Sequence, residues 1–404
     1  MNEDFRRRLL RARTDWIDRA VALNVMHQSV LRIDGKALRL QDGTSVVEFV
    51  SCSYLGLDRE KAVIDSAKQA LDEWGVHLCT ARTRLSIGLN TEVEERLSSL
   101  FRRTAVTFPS VTTTHAAIIP LLAKGLLPVD GVDADTRLDF VLDRSAHASM
   151  QNLRPYLQAS GQVRTIPHND MNALEDLCRE NARGGRRTVY FCDGVYSMGG
   201  ECPLDGVRGL VDRYGLIPYI DDAHGTSVVG PKGEGFVRTL WPDLPGNVFV
   251  NFSLSKGFGC NGGGVLLPDR GCETALRRLG MPYAFSGPLD FSILGAVRAA
   301  LTIHESGGVV PLQERLRRNV RLFDSSMYGA PRDGVSAVRA IPMKDEDAAI
   351  DAAAALRSAG YFVSAAFFPV VSFGEPILRV VLSALHTEEQ IAGLVRELRR
   401  LPAA

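Results

Sequence analysis

One lysine, one aspartate, two histidines and several hydroxyls stand just past four short apolar runs. His147 follows "LDFVLD" in the string "RSAHAS", and Ser197 follows "TVYFCD" in "GVYSMGG". Asp221 closes "LIPYID" and leads to His224 in "DAHGTS", while "NVFVNF" runs into "SLSKGFG" with Ser253, Ser255 and Lys256. If the runs are strands of an open α/β sheet, these residues share the edge where such sheets bind ligands. A lysine amine held as a neutral nucleophile can carry an aldehyde as a Schiff base. A carboxylate within ~4–6 Å of a pyridine nitrogen keeps it protonated, so that the ring can act as an electron sink. A dianionic phosphate is held by the N–H groups of a helix start, which "PSVTTTHAA" supplies at Val111 and Thr112, with Ser253 and Ser255 adding hydroxyls. His147 can stack on a ring, and His224 can donate to a phenolic oxygen. These are the needs of pyridoxal 5′-phosphate (PLP). Each residue alone has an ordinary reading: Asp221 as a helix cap, Lys256 as a solvated loop lysine, the histidines as core residues. Their convergence on one edge is what points to the cofactor.

The elements that must position them follow from the spacing. Apolar β-rich runs alternate with longer helix-compatible segments, which predicts an α/β fold with a mostly parallel central sheet covered by helices. Residues from Asp4 to Leu23 read as an amphipathic helix that packs on the body or on a second subunit. "HQSVLRIDGKALRLQDGTSVVEFVS" alternates around two D-G turns and reads as short antiparallel strands. After Ser286-Gly287-Pro288 the chain becomes helical. It then passes through "SAVRAIPM", a helix near Glu346–Ala359, "YFVSAAFF", "ILRVVLS" and a last helix, as a smaller α+β domain would. The expected division is an N-terminal helix and arm at 1–45, a large cofactor domain at 46–288 and a small domain at 289–404.

At 404 residues the chain suits two packed domains. Its 47 basic and 47 acidic side chains cancel, which gives no charge excess for nucleic acid or an anionic membrane. No apolar run approaches the ~18 residues needed to span a bilayer, and "MNEDFRRRLL" is charged where a signal peptide would be apolar. Seven scattered cysteines without a C-x-x-C pair fit neither a disulfide framework nor a zinc site. The expectation is a cytoplasmic enzyme without a metal.

The same strings resemble the α-oxoamine synthase family of PLP enzymes, across about residues 50 to 390. "SYLGLDRE", "DRSAHAS", "GVYSMGGECPLDG", "IDDAHGTSVVGPKGEG", "SLSKGFGCNGG" and "ILRVVLSALHTEEQ" occur in that family's order. The resemblance implies the aspartate-aminotransferase-like PLP fold (fold type I), with the Schiff base on Lys256 and the pyridine nitrogen on Asp221. It gives the phenolic oxygen to His224, the ring face to His147, and places near the cofactor to Ser197 and Ser253. It gives the amino-acid carboxylate to Arg379. It also implies a homodimer in which Ser286, in "YAFSGPLD", reaches the other subunit's phosphate.

This sequence departs from the family at the pocket. Cys52 stands where the family has an asparagine that helps hold substrate. "SVTTTH" replaces a phosphate loop of the form S-G-aromatic-x-A-N, with Val111, Thr112 and His115 at the changed places. Asn90 stands nearest the place of an expected histidine, Gly199 replaces an aspartate, and Ser227 replaces a glycine. Cys52 and His115 are therefore read as substrate-facing, and Cys260 as packing. The leading expectation is carbon–carbon bond formation between an amino acid and an acyl thioester, on coenzyme A or a carrier protein. A PLP aminotransferase, aldolase or side-chain-replacement enzyme is the alternative, and a non-catalytic PLP-fold subunit is a third reading.

Overall fold

A computed structural model describes residues 3–133, 135–368 and 370–402. The chain forms two compact units, Leu55–Gln313 and a smaller one made of Met1–Tyr54 with Glu314–Ala404. The larger unit is built on a seven-stranded sheet. Its spatial order is Ala105–Phe108, Gly263–Leu266, Phe249–Ser253, Ile217–Asp221, Arg186–Asp193, Arg137–Asp143 and Val163–Ile166. Adjacent strands are parallel from Phe249–Ser253 across to Val163–Ile166. Gly263–Leu266 alone runs antiparallel to both of its neighbours. The four apolar runs are all central strands. Their residues are almost wholly buried, as expected of a parallel sheet covered on both faces.

Three of the strands are not visible as apolar runs. Gly263 and Gly264 are poor strand formers, yet their positions demand glycine. A Cβ on Gly264 would lie 2.3 Å from the Val106 carbonyl oxygen, and one on Gly263 2.6 Å from that of Phe252. Ala105–Phe108 and Val163–Ile166 have only four residues each, too few to show a period.

The smaller unit joins chain segments far apart in sequence. The two D-G turns produce the expected antiparallel strands Val30–Asp34, Ala37–Leu40 and Ser45–Glu48. Tyr361–Phe362 then adds to Ser45–Glu48 in parallel. A buried ion pair, Lys36 Nζ to Glu48 Oε1 at 2.7 Å, sits beneath this sheet. His386 stacks on Phe49 with centroids 3.9 Å apart and reaches the Glu48 carbonyl at 2.9 Å. A second sheet has the order Val338–Pro342, Ile377–Val381, Ser364–Ala366. The first helix, Glu3–Ala22, packs within this unit. Trp16 lies edge-on to Phe367, and Arg19 pairs with Asp347 and Asp351.

The observed division differs from the expected one. The first 54 residues belong with the C-terminal segment, and the long helix Phe291–Glu305 belongs to the larger unit. That helix lies against Lys61–Trp74 at backbone distance. Ser66 Oγ donates to the Gly295 carbonyl at 2.7 Å, and a Cβ on Gly295 would come within 2.4 Å of the Ser66 oxygen. No helix among the described residues is long and apolar enough to cross a membrane.

Candidate active site

Register brings the carboxyl ends of three neighbouring strands level. Asp193 stands beside Asp221, and Asp221 beside Asn251. All three side chains are buried. Asp221 Oδ1 accepts the Ala223 N–H at 3.0 Å, and Oδ2 lies 3.1 Å from His115 Nε2. Burial alone would drive the Asp221 carboxyl up; the His115 ring, then Lys256 and His147, reverse this and hold it well below the usual carboxylate range. In Asp193 and in Asp222, one residue further along, burial wins. The Asp221 charge adds to it, so both are pushed well above that range. Of three buried carboxyls, only Asp221 is kept ionised. Asp193 instead works through geometry, since its Oδ1 accepts the backbone N–H of His147 at 2.9 Å.

His147 begins the short helix Ala148–Gln151. Its Nδ1 caps that helix by accepting from Ser149 N, and Ser149 Oγ lies 2.7 Å away. The ring is half-buried, and burial lowers its basicity against the pull of Asp221, which leaves a neutral plane suited to stack. Lys256 is also half-buried. Its turn is fixed by Leu254 N–H to the Gly262 carbonyl and by Ser255, whose Oγ donates to that carbonyl and whose N–H donates to Ser253 Oγ. The next residue presses against the loop that starts at Asp221. A Cβ on Gly257 would lie 2.9 Å from the Thr226 carbonyl and 3.0 Å from Ser227 Cβ. Lys256 thus acts electrostatically on Asp221, His147 and Asp193 together.

The helix Val111–Ala123 starts directly after the strand Ala105–Phe108. Ser110 caps it by accepting from Thr113 N at 3.0 Å. A helix of this length presents first-turn N–H groups with no intrahelical acceptor, here including Val111 and Thr112. Gly263 closes on that start, with Val111 Cγ2 2.6 Å from where its Cβ would be. An ionised carboxylate with lone pairs left over, a neutral half-exposed imidazole, a lysine and a helix N-terminus are a donor set that fits PLP. His224 is buried three residues past Asp221, and Ser197 is half-buried in the turn after Arg186–Asp193. Ser286 and Thr112 are exposed, Ser286 Oγ donating to the Pro282 carbonyl at 2.6 Å. In the smaller unit, Arg379 lies half-buried on Ile377–Val381, with Nη2 3.6 Å from Cys52 Sγ.

The structure corrects one expected role. His115 does not face substrate. It is fully buried, and its two ring nitrogens are taken up by Tyr219 and Asp221. Cys260 is packing as expected, since burial pushes its thiol up to about 12. Ser227, which stands at a family glycine, holds a left-handed φ of 69. Its Oγ donates to His304 Nε2 at 2.6 Å, a nitrogen left as acceptor because Nδ1–H donates to the Ala300 carbonyl. Burial lowers His304 to about 4, consistent with that neutral ring. Sequence reasoning missed Asp193, Tyr219 and Asn251. Asp193 had a visible signal, because it ends "TVYFCD" as Asp221 ends "LIPYID".

Residues 44–398 match the aminotransferase class I and II family. An 8-amino-7-oxononanoate synthase of Maricaulis maris is 32% identical over 374 residues, covering 91% of this chain and 89% of its own. A 2-amino-3-ketobutyrate coenzyme A ligase of Escherichia coli is 29% identical over 372 residues, covering 90% and 89%. Among solved structures, a serine palmitoyltransferase from S. paucimobilis that carries PLP superposes with a TM-score of 0.85. It is 22% identical, and the match covers 97% of this chain and 96% of that one.

Proposed function

The chain belongs to the aminotransferase class I and II family, and from that premise we propose that it is an α-oxoamine synthase, a PLP-dependent transferase joining the Cα of an amino acid to the acyl carbon of a thioester. The observation that carries this reading is Asp221, held charged between Asp193 and Asp222, which burial pushes up, and within electrostatic reach of Lys256 and His147. PLP, when bound, supplies a sink for the electron pair left at Cα. Asp221 holds the proton on the pyridine nitrogen, and His147 lies on the ring face, steadied by Asp193 through its backbone N–H. His224 donates to the phenolic oxygen. The N–H groups of Val111 and Thr112 would take the phosphate, aided by the hydroxyls of Ser253 and Ser255, with Ser197 near the cofactor. Lys256 would hold the cofactor's aldehyde and, when its amine is free, would move the Cα proton. A positioned base of this kind contributes ~10²–10⁴-fold.

We assign the amino acid's carboxylate to Arg379, whose fork suits two parallel charge-assisted bonds, with Cys52 beside it as a pocket wall. Incubation with amino acids and acyl thioesters should release free thiol and form an amino ketone. Release of the keto acid with no thiol would overturn this in favour of an aminotransferase. Arg379→Lys loses the planar fork, and a charge-assisted bond is worth about 1.5–3 kcal/mol. The amino-acid KM should therefore rise ~10-fold or more while cofactor content is unchanged. An unaltered KM would remove Arg379 from the site.

The active unit we propose is a homodimer. Met281 and Phe285, 67% and 77% exposed, lie on the short helix that ends at the exposed Ser286, and Leu85 is 64% exposed. Such large apolar side chains left in water mark an association surface. Light scattering should give the dimer mass; a monomer mass at full specific activity would contradict the assignment.

A further inference from the structure

With Asp221 ionised, the hydrogen-bond inventory around the buried ring of His115 closes in one way. Nε2 is 3.1 Å from Asp221 Oδ2, and Nδ1 is 2.9 Å from the Tyr219 hydroxyl. That hydroxyl is also 3.1 Å from Asn251 Oδ1. The Asn251 amide is oriented by its own Nδ2, which donates to the Ile220 carbonyl at 3.3 Å, so Oδ1 faces Tyr219 as an acceptor. A phenol has one proton to give. Given to Asn251, it leaves the Tyr219 oxygen to accept from His115, and Nδ1 must carry hydrogen. Asp221 as a carboxylate only accepts, and Nε2 must carry hydrogen as well. Giving the Tyr219 proton to His115 instead would set two buried oxygens facing each other with no hydrogen between them, a costly arrangement.

We infer that His115 is a doubly protonated positioning residue that keeps Asp221 ionised and turns its remaining lone pairs towards the cofactor nitrogen. The titratable and charged groups acting on this pair are Tyr219 on the same strand, Asp222 next to Asp221, Asp193 at the end of one neighbouring strand, Lys256 after the other, and His147. Without the imidazolium, burial dominates Asp221 as it does Asp193. A protonated carboxyl there cannot hold a pyridinium. Asparagine, which the resembling family carries at this place, could hydrogen-bond Asp221 but brings no charge, so this chain achieves the same end by a different means. The inference rests on the assignment of Asp221 to the ring nitrogen, and its test separates the two.

Holoenzyme labelled with nitrogen-15 histidine has eight imidazole signals. The one lost in His115→Asn identifies this ring, and if that variant does not fold, the one shifted in Tyr219→Phe does. Both its nitrogens should carry hydrogen in the active holoenzyme, and a bare nitrogen there would overturn the inference. His115→Asn should also slow Cα proton exchange by about ten-fold, with amino-acid KM and cofactor content held. Undiminished exchange would refute the positioning role. Should Asp221→Asn leave exchange intact while His115 is doubly protonated in the parent holoenzyme, the ion pair stands and the assignment of Asp221 fails.

Discussion

Asp221→Asn is expected to fold, to retain much of its PLP and to lose nearly all Cα proton exchange. The substitution is isosteric and the strand end is packed on both sides, so the backbone that carries His224 and Ala223 stays in place. What disappears is an anion that His115, Lys256 and His147 hold charged against burial. A paired charge of this kind shifts its partner's pKa by ~1–3 units, and each unit is a factor of ten in the protonated-to-neutral ratio. Exchange should therefore fall by ~10–1000-fold. Deuterium wash-in at Cα, followed by proton NMR with the cofactor absorbance recorded alongside, measures both quantities. Near-normal wash-in with PLP retained would mean that another group protonates the ring. Asp193 is a poor stand-in, because burial, the largest influence on it, still favours its protonated form.

Lys256→Ala should abolish the covalent link to the cofactor. Borohydride treatment of the parent protein followed by peptide mass analysis should place the reduced adduct on Lys256, and the variant should yield none. The non-covalent anchors, namely the helix start at Val111, the Asp221 carboxylate and the His147 plane, remain, so the variant should still bind PLP reversibly. Loss of the base should cost ~10²–10⁴-fold in Cα exchange. A reducible adduct in the variant, or exchange at the parent rate, would remove Lys256 from its role. The position itself is constrained: Gly257 touches the Thr226 carbonyl, so a shift of the lysine would have to move the loop that begins at Asp221.

How much of this was readable in the sequence depends on how local the determining physics is. The four central strands were, because a strand buried on both faces writes itself as an unbroken apolar run, and the reactive residues follow such runs directly. Gly263–Leu266 was not: its glycines are required by two neighbouring backbones that come from elsewhere in the chain. The division into units was misread for a similar reason. Helix Phe291–Glu305 looks like the start of a new domain, and only the close approach of Ser66 to Gly295 reveals its side. His115 was seen as a departure from a motif, but sequence spacing cannot say that the fifth residue of a helix reaches a carboxylate 106 residues away. The correct element was in view, and the direction of its side chain was not.

The parallel pairing of Tyr361–Phe362 with Val47 and Glu48 has a consequence for how the protein is made. A chain synthesised from its N-terminus at ~5–20 residues per second leaves the first strands waiting about 15–60 s for their partners. During that time Leu55–Gln313, one continuous stretch, has everything it needs to form its sheet. The smaller unit has no such option. Its first sheet lacks a strand, and Phe49 lacks the His386 ring that stacks on it, until Tyr361–Phe362 and then His386 have been made. On the way, apolar side chains such as Leu40, Val46 and Phe49, all buried in the finished protein, are held in water beside an already folded neighbour. The strands from Val30 to Glu48 thus wait for partners made much later, and in that interval they are exposed to chaperones and proteases.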